Sequence, residues 1–323
     1  MKSEALIHAY LLKGDGHAQR MSWEDVLAWK PADGVIWTHF LNTDPDVLHW
    51  MHNNSGLDPL VADILISQDT RPRATALGEG LLLALRGVNL NPGSDPEDMV
   101  SIRLWVNKQR IVSTVRRNLL SVGDIVQLFE QGKGPGSSAD FIVAITSRII
   151  MRMSATVDDL EDRIGELEDH VLADTSNTLR NDLANLRRTT ISLRRYLSPQ
   201  KEALSRLLIE QIDILDDIHK LRLREVSDGL LRHIEDIDEV RDRAAVTHEE
   251  LVSRASEQLN KRMYVLSIVA AIFMPLGFFT GLLGINVGGI PGSDYPGAFA
   301  IFVGILILLV TAQITFFKWK KWF

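Results

Sequence analysis

The chain of 323 residues contains no cysteine. That excludes disulfides, thioether-linked haem and cysteine-ligated zinc, and it leaves the redox compartment open. Charge is absent from two long stretches. Residues 263–293 carry none, nor do 295–317, and Asp294 alone stands between them. Basic residues are missing from 285–297. There is no glycine-rich phosphate loop with its lysine and no Ser/His/Asp spacing of the hydrolase kind, so the reading is not an enzyme, calls for no cofactor and has no ATP-driven step of its own. Residues 1–13 carry Glu4 and His8 within an apolar stretch and lack a small-residue cleavage site. They do not read as a signal peptide.

What is present is strongly segregated. Residues 1–262 hold 32 of the 35 basic and 41 of the 42 acidic residues. That acidity argues against nucleic acid as a partner and suits a surface that attracts cations. A hydrocarbon core ~30 Å thick takes ~20 apolar residues of helix, and 264–283 and 298–317 each supply a run of that length. Residues 301–310 are apolar all round, whereas a helix in a soluble core keeps one polar stripe. Lys261 and Arg262 precede the first run, and Lys318, Lys320 and Lys321 follow the second. The positive-inside rule then expects two membrane spans, both chain ends in the cytoplasm and the connecting loop outside, with Trp319 and Trp322 as interfacial anchors.

The first 130 residues alternate short β-branched runs with amphipathic stretches. Strands are expected at 35–40, 81–88, 100–106 and 111–115, with a hairpin turn at 107–109. Asp44 and Asp58 are placed to cap two short helices, through about Asn53 and Ser67. After the breaker at 132–138 the pattern is helical almost to the end, with interruptions expected near 174–177, 198–199 and 227–229. The expected architecture is an α/β cytoplasmic domain at 1–132 and a helical region at 133–262 whose stalk helix continues into the first span. Span 263–284, external loop 285–297, span 298–317 and a basic tail 318–323 complete it.

One apolar stripe runs along that stalk helix into the bilayer. Leu231, Ile234, Ala245, Val252, Ala255, Leu259, Met263, Leu266, Ala270, Met274, Gly277 and Gly281 recur mainly at spacings of three, four or seven. A long rod cannot bury a narrow stripe alone; it wants copies of itself. Small residues at 270, 277 and 281 permit close approach in the membrane. Two spans per chain cannot enclose an aqueous path, so transport requires several subunits with the stripe facing their axis; a plain oligomeric seam is the alternative. Just past the first span come Gly284, Ile285 and Asn286, followed by glycines 288, 289 and 292. A ring of amide oxygens at a pore mouth is suited to holding the water shell of a cation.

The sequence here resembles the CorA superfamily of divalent-cation transporters, and within it the zinc-transporting, ZntB-type branch. The residues that carry the resemblance are Thr70-Arg71-Pro72-Arg73 with Leu77-Gly78-Glu79-Gly80, Arg194-Arg195-Tyr196 with Pro199-Gln200, and the segment from Phe279 through Asn286 to Gly292. The magnesium branch has Gly-Met-Asn and an acidic loop; Ile285 and the Gly-Gly-Ile-Pro-Gly continuation depart from it toward the zinc branch. The resemblance implies a funnel-shaped homopentamer in a bacterial cytoplasmic membrane, carrying Zn2+ or other divalent cations. By position, its pore would be lined by Met263, Leu266, Ala270, Met274, Gly277, Thr280 and Gly281, with Asn286 at the entrance. A magnesium or cobalt channel is the rival within the family, and a membrane-tethered scaffold the rival outside it.

Other candidates are weaker. Asp46, His49 and His52 have one-face spacing, but Leu48 and Trp50 interleave, so a solvated helix competes with a zinc site. The acids at 158–169 and Glu235, Asp236, Asp238 and Glu239 are either solvated helix faces paired with arginines or a cation reservoir at the cytoplasmic mouth. Lys318, Lys320 and Lys321 would form a basic collar in an oligomer. Neither span carries a carboxylate or histidine, so proton coupling would use groups outside the bilayer.

Overall fold

In a computed structural model, the chain is described over residues 5–68, 71–173, 177–209, 213–284, 290, 292 and 294–320. It divides into two compact units, one ending at Glu249 and one starting at Glu250.

The first unit is built on a seven-stranded sheet. Its strands are β1 (Leu6–Leu12), β2 (Ala18–Arg20), β3 (Val35–Leu41), β4 (Arg73–Leu77), β5 (Gly80–Gly87), β6 (Val100–Val106) and β7 (Arg110–Val115). The spatial order is β2-β1-β3-β7-β6-β5-β4. Every pair is antiparallel except β3 with β7. The four strands expected from sequence are β3, β5, β6 and β7. The turn between β6 and β7 lies where expected, because the Asn107 side-chain oxygen accepts from the amides of Gln109 and Arg110 at 3.0 and 2.7 Å.

Helices close both faces of this sheet, which is why β3 and β5 are buried almost without alternation. The short helices α1 (Trp23–Ala28), α2 (Pro45–Asn53) and α3 (Pro59–Ile66) start on side-chain caps from Ser22, Asp44 and Asp58. Val47, Trp50, Met51, Val61, Ala62 and Leu65 of α2 and α3 join Phe40, Leu82 and Val112 of the sheet in one core cluster. Beyond the sheet come α4 (Leu120–Glu130), α5 (Ser138–Met151), α6 (Ser154–Ala173) and α7 (Asn177–Ile209).

One group of polar side chains inside this core satisfies itself, whereas the Trp50 indole N–H is buried without a partner among the described residues. Trp37 is fully buried and its indole N–H donates to the Ser113 hydroxyl at 2.8 Å. That hydroxyl donates to the Thr38 carbonyl at 3.2 Å, so His39 Nδ1, 2.7 Å from the same oxygen, must carry its own proton and donate. Burial first, and the neighbouring His8 second, bring the His39 pKa down to about 3, which keeps the ring neutral near pH 7.

Two expected helix breaks do not occur. Helix α7 runs through Ser198 and Pro199, and α8 (Asp217–Gly284) starts before Ser227 and runs through Gly229. Packing overrides the local signals in both. Beside Pro199, the buried Gln200 accepts from the backbone N–H of Arg86 in β5 at 2.6 Å. At Gly229 an added Cβ would sit 3.8 Å from Ile150 of α5, ordinary contact distance, so the helix passes close without penalty. The third expected break, near 174–177, lies largely outside the described residues.

Up to Glu249, α8 buries a row of its own: Leu223, Ser227, Leu230, Ile234, Ile237, Val240, Ala244 and Thr247. The expected stripe shares only Ile234 with that row, and Leu231 and Ala245 sit half-buried beside it. The helix therefore follows one packing row in the first unit and a different exposed stripe beyond.

The second unit holds the rest of α8 and α9 (Ala298–Trp319), the two described helices long and apolar enough to cross a membrane.

Candidate functional site: the exposed stripe of the first apolar helix

Between Tyr264 and Gly284, the half-buried residues are Ile268, Ala271, Ile272, Pro275, Leu276 and Phe279. Their spacing of three and one, repeated, marks a single helix face. Helix α9 answers with Phe302, Val303, Leu306, Leu309, Val310, Gln313 and the buried Phe317. At 100° per residue the predicted stripe lies on the opposite side of α8, centred about 170° from the packed face. Met263, Leu266 and Met274 are 59%, 69% and 74% exposed, and Ala270, Gly277, Thr280 and Gly281 are exposed with them. Within one chain nothing among the described residues covers this side.

Glycine on that side has no reason inside the chain either. An added Cβ at Gly277, Gly281 or Gly284 meets no atom within 4 Å among the described residues. Space is not what these glycines provide to their own helix pair, and each weakens an exposed helix relative to alanine. Thr280 lies at the stripe's edge, and its hydroxyl donates back to the carbonyls of Leu276 and Gly277 at 2.9 and 3.1 Å. It offers a lone pair rather than a free O–H to whatever faces it.

Gly284 is the last residue of α8; Ile285 and Asn286 lie outside the described residues. At the other end of the pair, Lys318 and Lys320 are exposed after the last apolar turn, and the Lys320 ammonium sits 5.6 Å from the Trp319 ring centre. Lys321 and Trp322 lie outside the described residues.

The remaining candidates separate into joints and ion pairs. His49 Nδ1 is 3.2 Å from the Asn53 amide, and His52 Nδ1 faces Asp63 at 3.7 Å rather than Asp46 or His49. Among the described residues no three His, Asp or Glu side chains converge to hold a metal. Asp238 pairs with Arg194 and Arg241, Glu239 lies 4.0 Å from Arg243, and Asp236 faces His233 at 3.9 Å. From α6, Glu168 takes both oxygens to Arg243 at 3.0 and 2.6 Å, which holds its carboxyl below the usual range. Glu161 goes the other way: lost hydration, then the charges of Asp236, Asp158 and Glu239, raise it. Of these acids, Asp159, Glu168, Asp238 and Glu239 have arginine partners among the described residues.

The motif residues of the soluble unit also prove to be joints. Gly78 has φ +58° in the two-residue turn from β4 to β5, and a Cβ on Gly80 would strike the Trp105 ring at 2.7 Å. The Arg86 guanidinium stacks 4.0 Å from the Tyr196 ring centre while Gln200 takes its backbone N–H. Thr70 lies outside the described residues. Arg86 carries no signal of this joint in the sequence, because Tyr196 and Gln200 lie more than a hundred residues away.

Residues 32–320 match the family described as CorA-like Mg2+ transporter protein. The zinc transport protein ZntB of Pectobacterium atrosepticum is 34% identical over 322 residues, covering 100% of this chain and 97% of the relative. The divalent cation transporter CmaX of Pseudomonas aeruginosa is 35% identical, covering 98% and 96%. The solved structure of full-length CmaX superposes with a TM-score of 0.87 at 33% identity, covering 100% of this chain and 99% of the other. The CorA magnesium transporter of Methanocaldococcus jannaschii shares the fold at a TM-score of 0.85 and 16% identity, covering 98% and 99%. From the approach to β3 to the end of its last apolar helix, the chain belongs to the CorA-like family of metal-ion transporters.

Proposed function

We propose that this chain carries divalent cations, zinc foremost, across a bacterial inner membrane through a pore made by five copies around one axis. The observation that carries the reading is the face of α8 turned away from α9. It joins large apolar side chains at Met263, Leu266 and Met274 to glycines that no contact among the described residues requires. In a monomer that face would meet lipid with no use for the glycines; around an axis it lines the passage, wide where the side chains vanish. Zinc is favoured over magnesium by the curated relatives named as zinc transporters and by the uncharged Gly-Gly-Ile-Pro-Gly segment after Asn286.

Purified protein in liposomes with a zinc-reporting dye inside should give zinc uptake that a tenfold excess of magnesium leaves standing. Native mass spectrometry of the same sample should show five chains. Absence of flux, or a sample of monomers and dimers only, rejects the pore.

Both chain ends face the cytoplasm in this reading, with the collar of Lys318, Lys320 and Lys321 at the inner surface. Alkaline phosphatase fused after Phe323 is expected to stay inactive, and fused within 285–297 to be active. An active C-terminal fusion inverts the topology.

A further inference from the structure

Helix α8 stays helical through Pro275, which has no backbone N–H. The carbonyl four residues earlier, that of Ala271, therefore loses its helical donor. In the structure it has another: the Gln313 side-chain amide of α9 donates to it from Nε2 at 3.2 Å. The orientation of that amide is forced, because turning Oε1 toward a carbonyl oxygen would set two acceptors against each other. Gln313 is the one Asn or Gln within the two apolar runs, 264–283 and 298–317. The threonines of α9 do nothing comparable, since Thr311 and Thr315 donate back to their own helix, to Ile307 and Thr311. Gln313 Oε1 is buried and meets no donor among the described residues. A half-satisfied amide inside an apolar helix pair is costly, so its place here rests on what the nitrogen does.

What it does is fill the gap that proline leaves. Without a donor on Ala271, the turn from Ala271 to Pro275 is the weakest point of α8, free to bend. It also divides the exposed stripe. Met263, Leu266, Ala270 and Met274 lie on one side of Pro275, and Gly277, Thr280, Gly281 and Gly284 on the other. We propose that Gln313 is a positioning residue for transport: its amide replaces the missing N–H of Pro275 and so fixes the direction of the outer part of α8 relative to the inner part. The inference rests on the reading that this stripe lines the ion path, but the bond itself does not depend on that reading.

The test is a double-mutant cycle in the full chain with two readouts. Pro275→Ala restores the helical donor to Ala271, so it should make Gln313 dispensable. Gln313→Leu alone keeps size and loses the donor. It is expected to cut zinc flux into liposomes about tenfold, with assembly unchanged by native mass spectrometry, and to speed hydrogen exchange in peptides covering 271–284. In the Pro275→Ala background the same Gln313→Leu change should alter flux by less than about twofold and leave exchange unchanged. Equal losses in both backgrounds would mean that Gln313 serves packing alone, and the proposal fails. Should Pro275→Ala not assemble, exchange at 271–284 in Gln313→Leu still decides: no increase refutes the bond. Should the parent carry no zinc, the pore reading falls while the exchange result judges the bond separately.

Discussion

Asn286→Gly should assemble as the parent does and still pass cations, but with its preference for zinc over other divalent ions reduced by roughly tenfold or more. Glycine is the substitution that separates two roles. Asn286 lies just beyond Gly284, where α8 ends, and asparagine there can serve as a left-handed helix terminator, a task glycine performs equally well. What glycine removes is the amide. A few neutral amides do not offset the dehydration of a divalent ion, so the ring is expected to hold the ion's water shell rather than the bare ion. A direct hydrogen bond has a net worth of ~0.5–1.5 kcal/mol, and one bridged by an ordered water approaches it. In the proposed pentamer, five amides acting together reach the ~1.4 kcal/mol that makes a tenfold difference. The measurement is liposome uptake of zinc, cobalt and magnesium in competition. Parental rate and parental ion order in Asn286→Gly would remove Asn286 from the selectivity site and leave it a helix terminator.

Leu266→Ser should produce the opposite defect, a leak. Leu266 is 69% exposed on the side of α8 away from α9, one turn from Met263. In the proposed pentamer, five such leucines around the axis would make a collar that water enters only at a cost, and an ion does not pass where water does not. A hydroxyl in place of each isobutyl group both widens the collar and offers water a partner. Passive zinc and magnesium entry are expected to rise by about an order of magnitude, and the difference between the two ions to shrink. Leu266 buries little against its own chain, so the unfolding temperature of the detergent-solubilised protein should barely change. Unchanged flux in Leu266→Ser would mean that this side of the helix faces lipid.

Much of the soluble fold was legible because local chemistry announces it. Strand β6 was expected at 100–106 and is found there, since Val, Ile, Leu and Trp recur in a run with no breaker. Asp44 and Asp58, each followed by proline at the first helical position, mark their helices before any contact is known. Strands β1, β2 and β4 were not seen. Arg73–Leu77 has a single buried residue, Ala74, and is a strand because β5 pairs with it across the Gly78-Glu79 turn. The Leu6–Leu12 run carries His8 and Tyr10, whose rings stack toward Trp37 once β1 lies beside β3. Proline at 199 and glycine at 229 read as breaks because both are poor helix formers, yet α7 and α8 run through them, with Gln200 bonded to β5 beside Pro199.

The sequence by itself determined that two helices are apolar enough to cross a membrane, that basic residues precede the first and follow the second, and which residues of α8 between Met263 and Gly281 share a face. Each of these depends on residue type and spacing along one chain, and water and lipid sort such patterns without reference to any distant partner. Only the tertiary structure decided which side of α8 meets α9 and which is left open. It also decided that Asp238 and Glu239 face arginines, and that Arg86 closes on Tyr196 and Gln200. Gln313 shows the physical reason. A carbonyl loses its donor at Pro275, and the donor that replaces it comes from 42 residues beyond Ala271, on a helix running back alongside. Periodicity records what neighbours along a helix share, whereas a hydrogen bond between helices exists only once the fold has brought both ends to the same place.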